Sequence, residues 1–406
     1  MSVRLFLVCI VLLQTTLFAS YNANIIDAKT LKPINGAMIS DASITIKSDE
    51  NGSFKVDANS TFHIKAYGYR RFSFDSNSTN KEIKLEPITV KALYLTFWGA
   101  NLNSKTIKKV LNIVDKTKVN ALVIDIKNAH GLTSFKTGFQ QANKYGASKQ
   151  KTINNIQKFM KLMKEKNIYT IARIVVFKDE LQASHNPDYA IKKLNGKIWR
   201  NGDKMAWVNP YDKRSHEYTI AIAEEAAKVG FDEINFDYIR FPAKRGLKFS
   251  KKNTQKNRTE AISSFLDLAQ NRLKKYGTFI SVDTYGNVCW EKGDVGIGQT
   301  ITSLAKHADY ICPMLYPSGF SKGSFNVKHP SEHPYIVIYR SLKHNEKVIN
   351  LKRMRPWLQS FRDYAHKRRY YKKFEITQQI KATEDVNSSG WMMWAPSSKY
   401  NINYFK

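Results

Sequence analysis

From Val90 onward the chain alternates short apolar runs with amphipathic stretches, a rhythm that few architectures can accommodate. Strands are predicted at Ala92 to Thr96, Ala121 to Ile126, Tyr169 to Phe177, Glu233 to Asp237, Phe279 to Asp283, Tyr310 to Leu315, Met354 to Leu358 and Trp391 to Trp394. Pro356 weakens the seventh, because proline cannot donate a ladder hydrogen bond. Helical patterns fall between most of them, notably at Ser104 to Thr117, Thr152 to Lys166, Ser215 to Val229, Thr259 to Tyr276 and Gln299 to His307. Eight such units fit a (β/α)8 TIM barrel better than an open doubly wound sheet, which uses fewer strands and often a Gly-rich nucleotide loop. No Walker loop is present, and Gly296-Ile297-Gly298 has neither a third glycine at Ile301 nor a preceding strand, which argues against a nucleotide.

The fourth unit is the most informative. A helix over Ser215 to Val229 meets Gly230, a residue suited to a helix stop, and the segment Phe231 to Pro242 follows. Strand alternation puts Asp232, Ile234 and Phe236 on one face and Glu233, Asn235 and Asp237 on the other. Inside a barrel the polar face becomes part of the wall. By the same rule Leu122, Ile124 and Ile126 face the helices, leaving Asp125 and Lys127 inward; Arg173 and Phe177 share a face; Ile280 and Val282 leave Ser281 and Asp283 inward. All of the inward charges except Arg173 and Glu233 lie at or near the carboxyl ends of their strands, where such barrels place active sites. Glu233, in the amino-end layer, reads as a member of an internal salt-bridge network.

Two carboxylates at a barrel mouth suit cleavage of a glycosidic bond, which needs an acid for the leaving oxygen and a carboxylate to attack the anomeric carbon or activate water. Asp237 is the candidate nucleophile or base and Asp283 the candidate general acid. Arg240 and Lys127 are expected to keep Asp237 charged, while a less compensated Asp283 keeps its proton. Asp125 and Arg173 complete the orienting and charge-tuning set. Trp98, Tyr238, Tyr285, Trp290, Tyr316, Trp357, Trp391 and Trp394 all sit at or beside predicted strand ends, and rings there offer flat faces to sugars, although barrel packing claims about half of them. Tyr316, Trp357, Gln359 and Trp394 are the candidate sugar contacts. His130, His185 and His216 are too scattered for a ligand set, so neither a metal nor another cofactor is expected.

The 406 residues leave room for an accessory module before the barrel. Residues 1 to 20 carry Arg4, the apolar run Leu5 to Leu13 and small residues at Ala19 and Ser20, the order of a secretory signal peptide and too short a run to span a bilayer. A periplasmic or secreted protein with no stable membrane span is expected. Cys9 lies in that run, and Cys289 and Cys312 alone make neither a disulfide framework nor a zinc pattern. The net charge of +31 favours anionic partners, and with an export signal these are a polysaccharide or cell-envelope glycan rather than a nucleic acid. The basic runs, His366 to Arg369 with Lys372 and Lys373, and Lys248 to Lys256, come with no nucleic-acid-binding motif and read as solvated faces.

Residues 21 to 89 have a β texture: short alternating runs at Ser43 to Lys47, Ser53 to Val56 and Thr61 to Ala66, separated by Asn-Gly and Gly-Tyr turn signals, predict a small antiparallel sandwich. Asp27-x-x-Thr30-x-x-Pro33-Ile34-x-Gly36-Ala37, Asp49-x-x-Gly52-x-Phe54 and Ala66-x-Gly68-Tyr69 resemble the carboxypeptidase regulatory-like domain, which implies a spacer or adhesion module without chemistry of its own.

In the barrel, Trp207-Val-Asn-Pro210, Phe231 to Pro242, Ala308 to Pro317, Arg355-Pro-Trp-Leu-Gln359 and Gly390 to Trp394 resemble a bacterial glycoside hydrolase family related to the α-amylase-like barrels. The resemblance runs over residues 91 to 404 and implies a TIM barrel acting on carbohydrate. It also implies a nucleophilic Asp ending the fourth strand, matched by Asp237, and an acidic Glu ending the fifth, where this chain has Asp283. The shorter side chain leaves Glu291 or Asp179 as alternative acids. A non-catalytic glycan or cell-wall binding protein on a degenerate barrel is the alternative reading, and a basic surface protein gripping anionic lipid a third.

Overall fold

The computed structural model describes residues 20–57 and 59–406, so the predicted signal peptide lies outside the described residues apart from Ser20. Seven strands come first: β1 (Ser20–Asp27), β2 (Met38–Ser40), β3 (Thr45–Lys47), β4 (Ser53–Asp57), β5 (Thr61–Lys65), β6 (Phe72–Asp75) and β7 (Glu82–Leu85). They form two sheets, ordered β4-β1-β7 and β3-β2-β5-β6, around Ile25, Phe54, Phe62, Ile64 and Ile83. One pairing departs from the expected antiparallel sandwich, because β1 and β7 run parallel. The resemblance motifs do structural work: Asp27 accepts from the backbone N–H groups of Lys29 and Thr30, and its other oxygen accepts from the Tyr69 hydroxyl at 2.8 Å.

The rest is a closed parallel barrel. In chain order its staves are β8 (Val90–Leu95), β9 (Ala121–Lys127), β10 (Tyr169–Val175), β12 (Glu233–Asp237), β14 (Phe279–Tyr285), β15 (Tyr310–Met314), β16 (Trp357–Gln359) and β17 (Gly390–Trp394), and β17 pairs back onto β8. The two-residue strands β11 (Lys192–Lys193) and β13 (Leu247–Lys248) pair outside the barrel. Gly390 has φ +94°, and a Cβ there would overlap the Val90 carbonyl, so only glycine lets the last stave close on the first. The seventh stave starts after Pro356, as that residue's missing N–H requires.

Alternation divides the barrel residues into two cores. Ile124, Ile234 and Phe236 point outward and pack with helix residues such as Phe265. Ala92, Tyr94, Val123, Ile171, Phe279, Tyr310 and Trp357 fill the interior. Between the amino ends of the staves and the mouth lies a charged layer: Glu233 accepts two hydrogen bonds from Arg355 Nη1, at 2.9 and 2.7 Å, and one from the Tyr169 hydroxyl. This is the internal network expected of Glu233.

The β module sits against the amino-terminal side of the barrel. Lys65 pairs with Asp309 at 2.8 Å, a His63 ring nitrogen meets the Lys275 carbonyl at 2.8 Å, and Arg71 donates to the Tyr276 and Gly230 carbonyls. Tyr67 and Ile88 pack under the interior core.

Candidate active site

Stave register sets Asp125 beside Arg173 and Asp237 one inward position further toward the mouth. Arg173 lies opposite Asp125 on one side and Asn235 on the other, and Val175 lies opposite Asp237. The Arg173 fork bridges two carboxylates: Nη1 bonds Asp125, and Nη2 and Nε both bond Asp237 Oδ2, the latter at 3.1 Å. The second Asp125 oxygen accepts from the Tyr94 hydroxyl at 2.5 Å. Asp237 Oδ1 accepts from the Tyr238 backbone N–H at 2.6 Å. Tyr238 holds φ +51°, an uncommon value for a bulky residue, so the chain turns sharply just after Asp237 and aims the tyrosine ring into the mouth.

Asp283 is in a different environment. It is only 2% exposed, and its Oδ1 accepts from Trp357 Nε1 at 2.7 Å and Asn235 Nδ2 at 2.9 Å. Burial, and then the neighbouring charge of Asp237, push its carboxyl well above the usual range, against the opposing pull of the two N–H donors and Arg173. The Tyr316 hydroxyl is also pushed up, by burial and by Asp283 and Asp237, and stays neutral. The arrangement therefore sets an acid whose proton is held more tightly than usual beside a second carboxyl group fixed on a guanidinium, a contrast suited to acid-base chemistry on one substrate.

Both carboxyl groups line a cavity of about 220 Å³, together with Arg173, Arg240, Met314 and the rings of Tyr238, Tyr285, Tyr316, Trp357 and Trp394. Five of the eight rings expected at strand ends thus converge. Of the others, Trp391 packs outside the barrel against Phe405, Trp290 stacks on His344 and donates to Ser341, and Trp98 is 62% exposed in the turn after β8. Arg240 lies over the rings of Trp207, Tyr238 and Tyr285 and donates to the Phe241 carbonyl. It is a wall of the cavity, and the cation bonded to Asp237 is Arg173.

Two expected members lie elsewhere. The ladder between β9 and β10 slips by one residue beside Ile126, and this bulge turns Lys127 away from the cavity. Its ammonium, fully buried, pairs with Asp179 at 2.7 Å and donates to the Val175 carbonyl. That pairing corrects the assignment of Lys127 as a charge tuner of Asp237, and it takes Asp179 out of consideration as the acid. Glu291 is exposed and outside the cavity lining. Gln359 is also fully buried: its side chain bonds the Ser318 backbone N–H and hydroxyl, supporting the loop beside Tyr316 without touching the cavity. Phe177 follows the end of β10 and packs outward on His216 and Phe265, not on the Arg173 face.

Sequence reasoning passed over Tyr94 and Asn235. Tyr94 stacks on Trp394 at 3.9 Å and anchors Asp125, and Asn235 holds Asp283. Both lay on inward faces, but neither carries a charge that would have drawn attention. Among the described residues no group of His, Cys, Asp and Glu is placed to hold a metal ion, Cys289 and Cys312 are free and buried, and no helix is long and apolar enough to cross a membrane.

A parallel eight-stave barrel with two carboxyls and aromatic walls at its carboxyl-terminal mouth is of the TIM-barrel class, and its family match makes it a glycosidase. The sequence agrees: residues 92–400 match the model of the family described as a putative glycosyl hydrolase domain, and the chain belongs to that family. No curated protein matches the chain. Among solved structures, it is similar to the glycoside hydrolase domain of PgaB (BpsB) from Bordetella bronchiseptica, with TM-score 0.58 and 11% identity over 77% of this chain and 95% of that one. A hypothetical protein from Ruminiclostridium thermocellum ATCC 27405 is 36% identical over 47% of this chain and 96% of its own, with TM-score 0.43. The spore cortex-lytic enzyme SleL of Bacillus megaterium QM B1551 is 13% identical, covering 80% of this chain and 76% of that chain, with TM-score 0.47.

Proposed function

We propose that the protein is an exported glycoside hydrolase that cleaves a polysaccharide or cell-envelope glycan, with Asp283 as general acid and Asp237 as nucleophile or base. Asp283 gives its proton to the leaving glycosidic oxygen as the C–O bond breaks. The Asp237 carboxylate either bonds to the anomeric carbon or takes the proton of the attacking water. The observation that carries this reading is the contrast between the two groups: one buried, with its carboxyl pushed well above the usual range, the other fixed by Arg173 and the Tyr238 N–H. Asp125 orients Arg173, and Trp357 orients Asp283 while presenting its ring to the cavity, so the sugar-binding wall and the acid share one side chain. Tyr316 and Trp394 supply the other faces assigned to sugar contact.

Residues 1–20 form a cleaved signal peptide in this reading, residues 21–89 a carboxypeptidase regulatory-like module and residues 90–406 the hydrolase, which places the enzyme in the periplasm or outside the cell. The Asp27 to Tyr69 bond supports the module assignment, since it joins two of the resemblance motifs. N-terminal sequencing of the exported protein should find the start near Ser20; an intact Met1 would contradict export by cleavage. For the chemistry, the full chain is screened against cell-envelope glycans and exopolysaccharides, and Asp237→Asn is tested on any that responds. About a 10³-fold loss of turnover with binding retained is expected. Undiminished turnover would defeat the assignment.

A further inference from the structure

The loop leaving the mouth end of β16, residues 360–372, has the make-up of a second binding surface continuous with the cavity. Phe361 packs edge-on against Tyr316, a cavity wall, with ring centroids 5.2 Å apart. Tyr364 stacks nearly parallel to Phe361, with 3° between the ring planes and 6.1 Å between centroids, and is 57% exposed. Aromatic surface thus steps outward from the carboxyl pair to the solvent. The loop is pinned: the buried Asp363 accepts from the Ser318 hydroxyl at 2.9 Å and from the Ala365 N–H, and the Tyr371 hydroxyl donates to the Ser331 carbonyl.

Cations follow along the same stretch of chain and on the neighbouring loop. Arg368, Lys372 and Lys373 are exposed and, among the described residues, have no carboxylate within ion-pair distance; the same holds for Lys322 and Lys328 on the loop after β15. The two loops meet where His329 stacks on His366 at 3.6 Å. Glu332 is committed to Lys367, and Asp363 is buried in the bonds above. Unpaired positive charge beside flat ring surfaces fits neither a neutral glycan, which does not need the charge, nor a simple polyanion, which does not need the rings.

We propose that these two loops form an outer subsite that binds acidic sugar rings, so that the substrate is a polysaccharide bearing negative charge along its length. This rests on the hydrolase reading above and adds the substrate class to it. The whole chain is basic, so the test must separate the subsite from general attraction. Equilibrium binding of the full chain is measured with labelled polygalacturonate (charged rings), dextran (uncharged rings) and polyphosphate (charge without rings). Polygalacturonate should bind most tightly. Arg368→Gln/Lys372→Gln/Lys373→Gln should weaken it about tenfold, since each exposed contact is worth a few-fold at most. Lys32→Gln/Lys47→Gln/Lys55→Gln, on the distant β module, should change it less than about twofold by the same reasoning. Tyr364→Ala should weaken polygalacturonate several-fold and leave polyphosphate unaffected. Equal losses from the two triple variants, equal binding of dextran, or indifference to Tyr364→Ala would each overturn the subsite. None of these readouts uses turnover, so an active Asp237→Asn would defeat the catalytic assignment with the subsite intact, and unchanged polygalacturonate binding would do the reverse.

Discussion

Asp283 should make the fold less stable as pH rises, and replacing it with Asn should remove that loss. In the folded chain burial and Asp237 hold the carboxyl well above its ordinary value of 3.8, while in the unfolded chain it returns to that value. The folded state therefore binds a proton that the unfolded state releases. The stability contributed by this proton is fully present below the ordinary value and is lost as pH rises toward the folded one. Within that window the slope is about 1.4 kcal/mol per pH unit, the cost of one proton per tenfold change in its activity. Asn is close in shape, and its Oδ1 can still accept from Trp357 Nε1 and Asn235 Nδ2. It does not titrate, so groups remote from the site cancel in the difference between the two proteins. Urea unfolding of wild type and Asp283→Asn, followed upward in pH from the ordinary value of 3.8, should show the gap widening in the variant's favour at that slope until the folded carboxyl titrates. The same variant should have lost its turnover of any glycan that the wild type cleaves. A gap that stays constant with pH would refute the protonated Asp283, and with it the choice of this residue as the acid.

Arg173→Lys keeps the charge but cannot span Asp125 and Asp237 from one planar fork, so kcat/KM should fall about 10²-fold with little change in KM. Steady-state kinetics on a responsive glycan checks this. Arg355→Met leaves Glu233 buried without its partner and should cost about 3–5 kcal/mol in urea unfolding, most of it recovered by Glu233→Leu in the same chain. Turnover per folded molecule should survive in that double variant, because the pair lies below the cavity. Gly277, at φ +60°, admits no side chain where the β module meets the barrel, since a Cβ would overlap His63. Gly277→Ala should destabilise by about 1–3 kcal/mol, and His63→Gly, which removes the Cβ and ring that the new methyl would meet, should relieve the overlap but not the backbone strain, a split that a double-mutant cycle reads directly.

The sequence by itself determined the eight staves, the inward face of β12 and the identity of both mouth carboxyls. Period-two alternation in a closed barrel leaves each side chain only two directions, and the charged residues at Asp125, Arg173, Asp237 and Asp283 could not face the helices. Only the tertiary structure decided how those charges pair. A one-residue slip beside Ile126 sent Lys127 to Asp179, a ladder irregularity set by two strands together and invisible in either one. The extended strand expected through Phe177 ended at Val175, and with it the alternation that had linked Phe177 to Arg173. Tyr238 was legible as an aromatic beside a strand end, but its positive φ, which delivers both a backbone N–H to Asp237 and a ring to the cavity, depends on the turn around it. The contrast in environment between the two mouth carboxyls is also a property of the assembled site. Asp237 and Asp283 are the same residue type, and what separates them is that Arg173 reaches one while burial isolates the other.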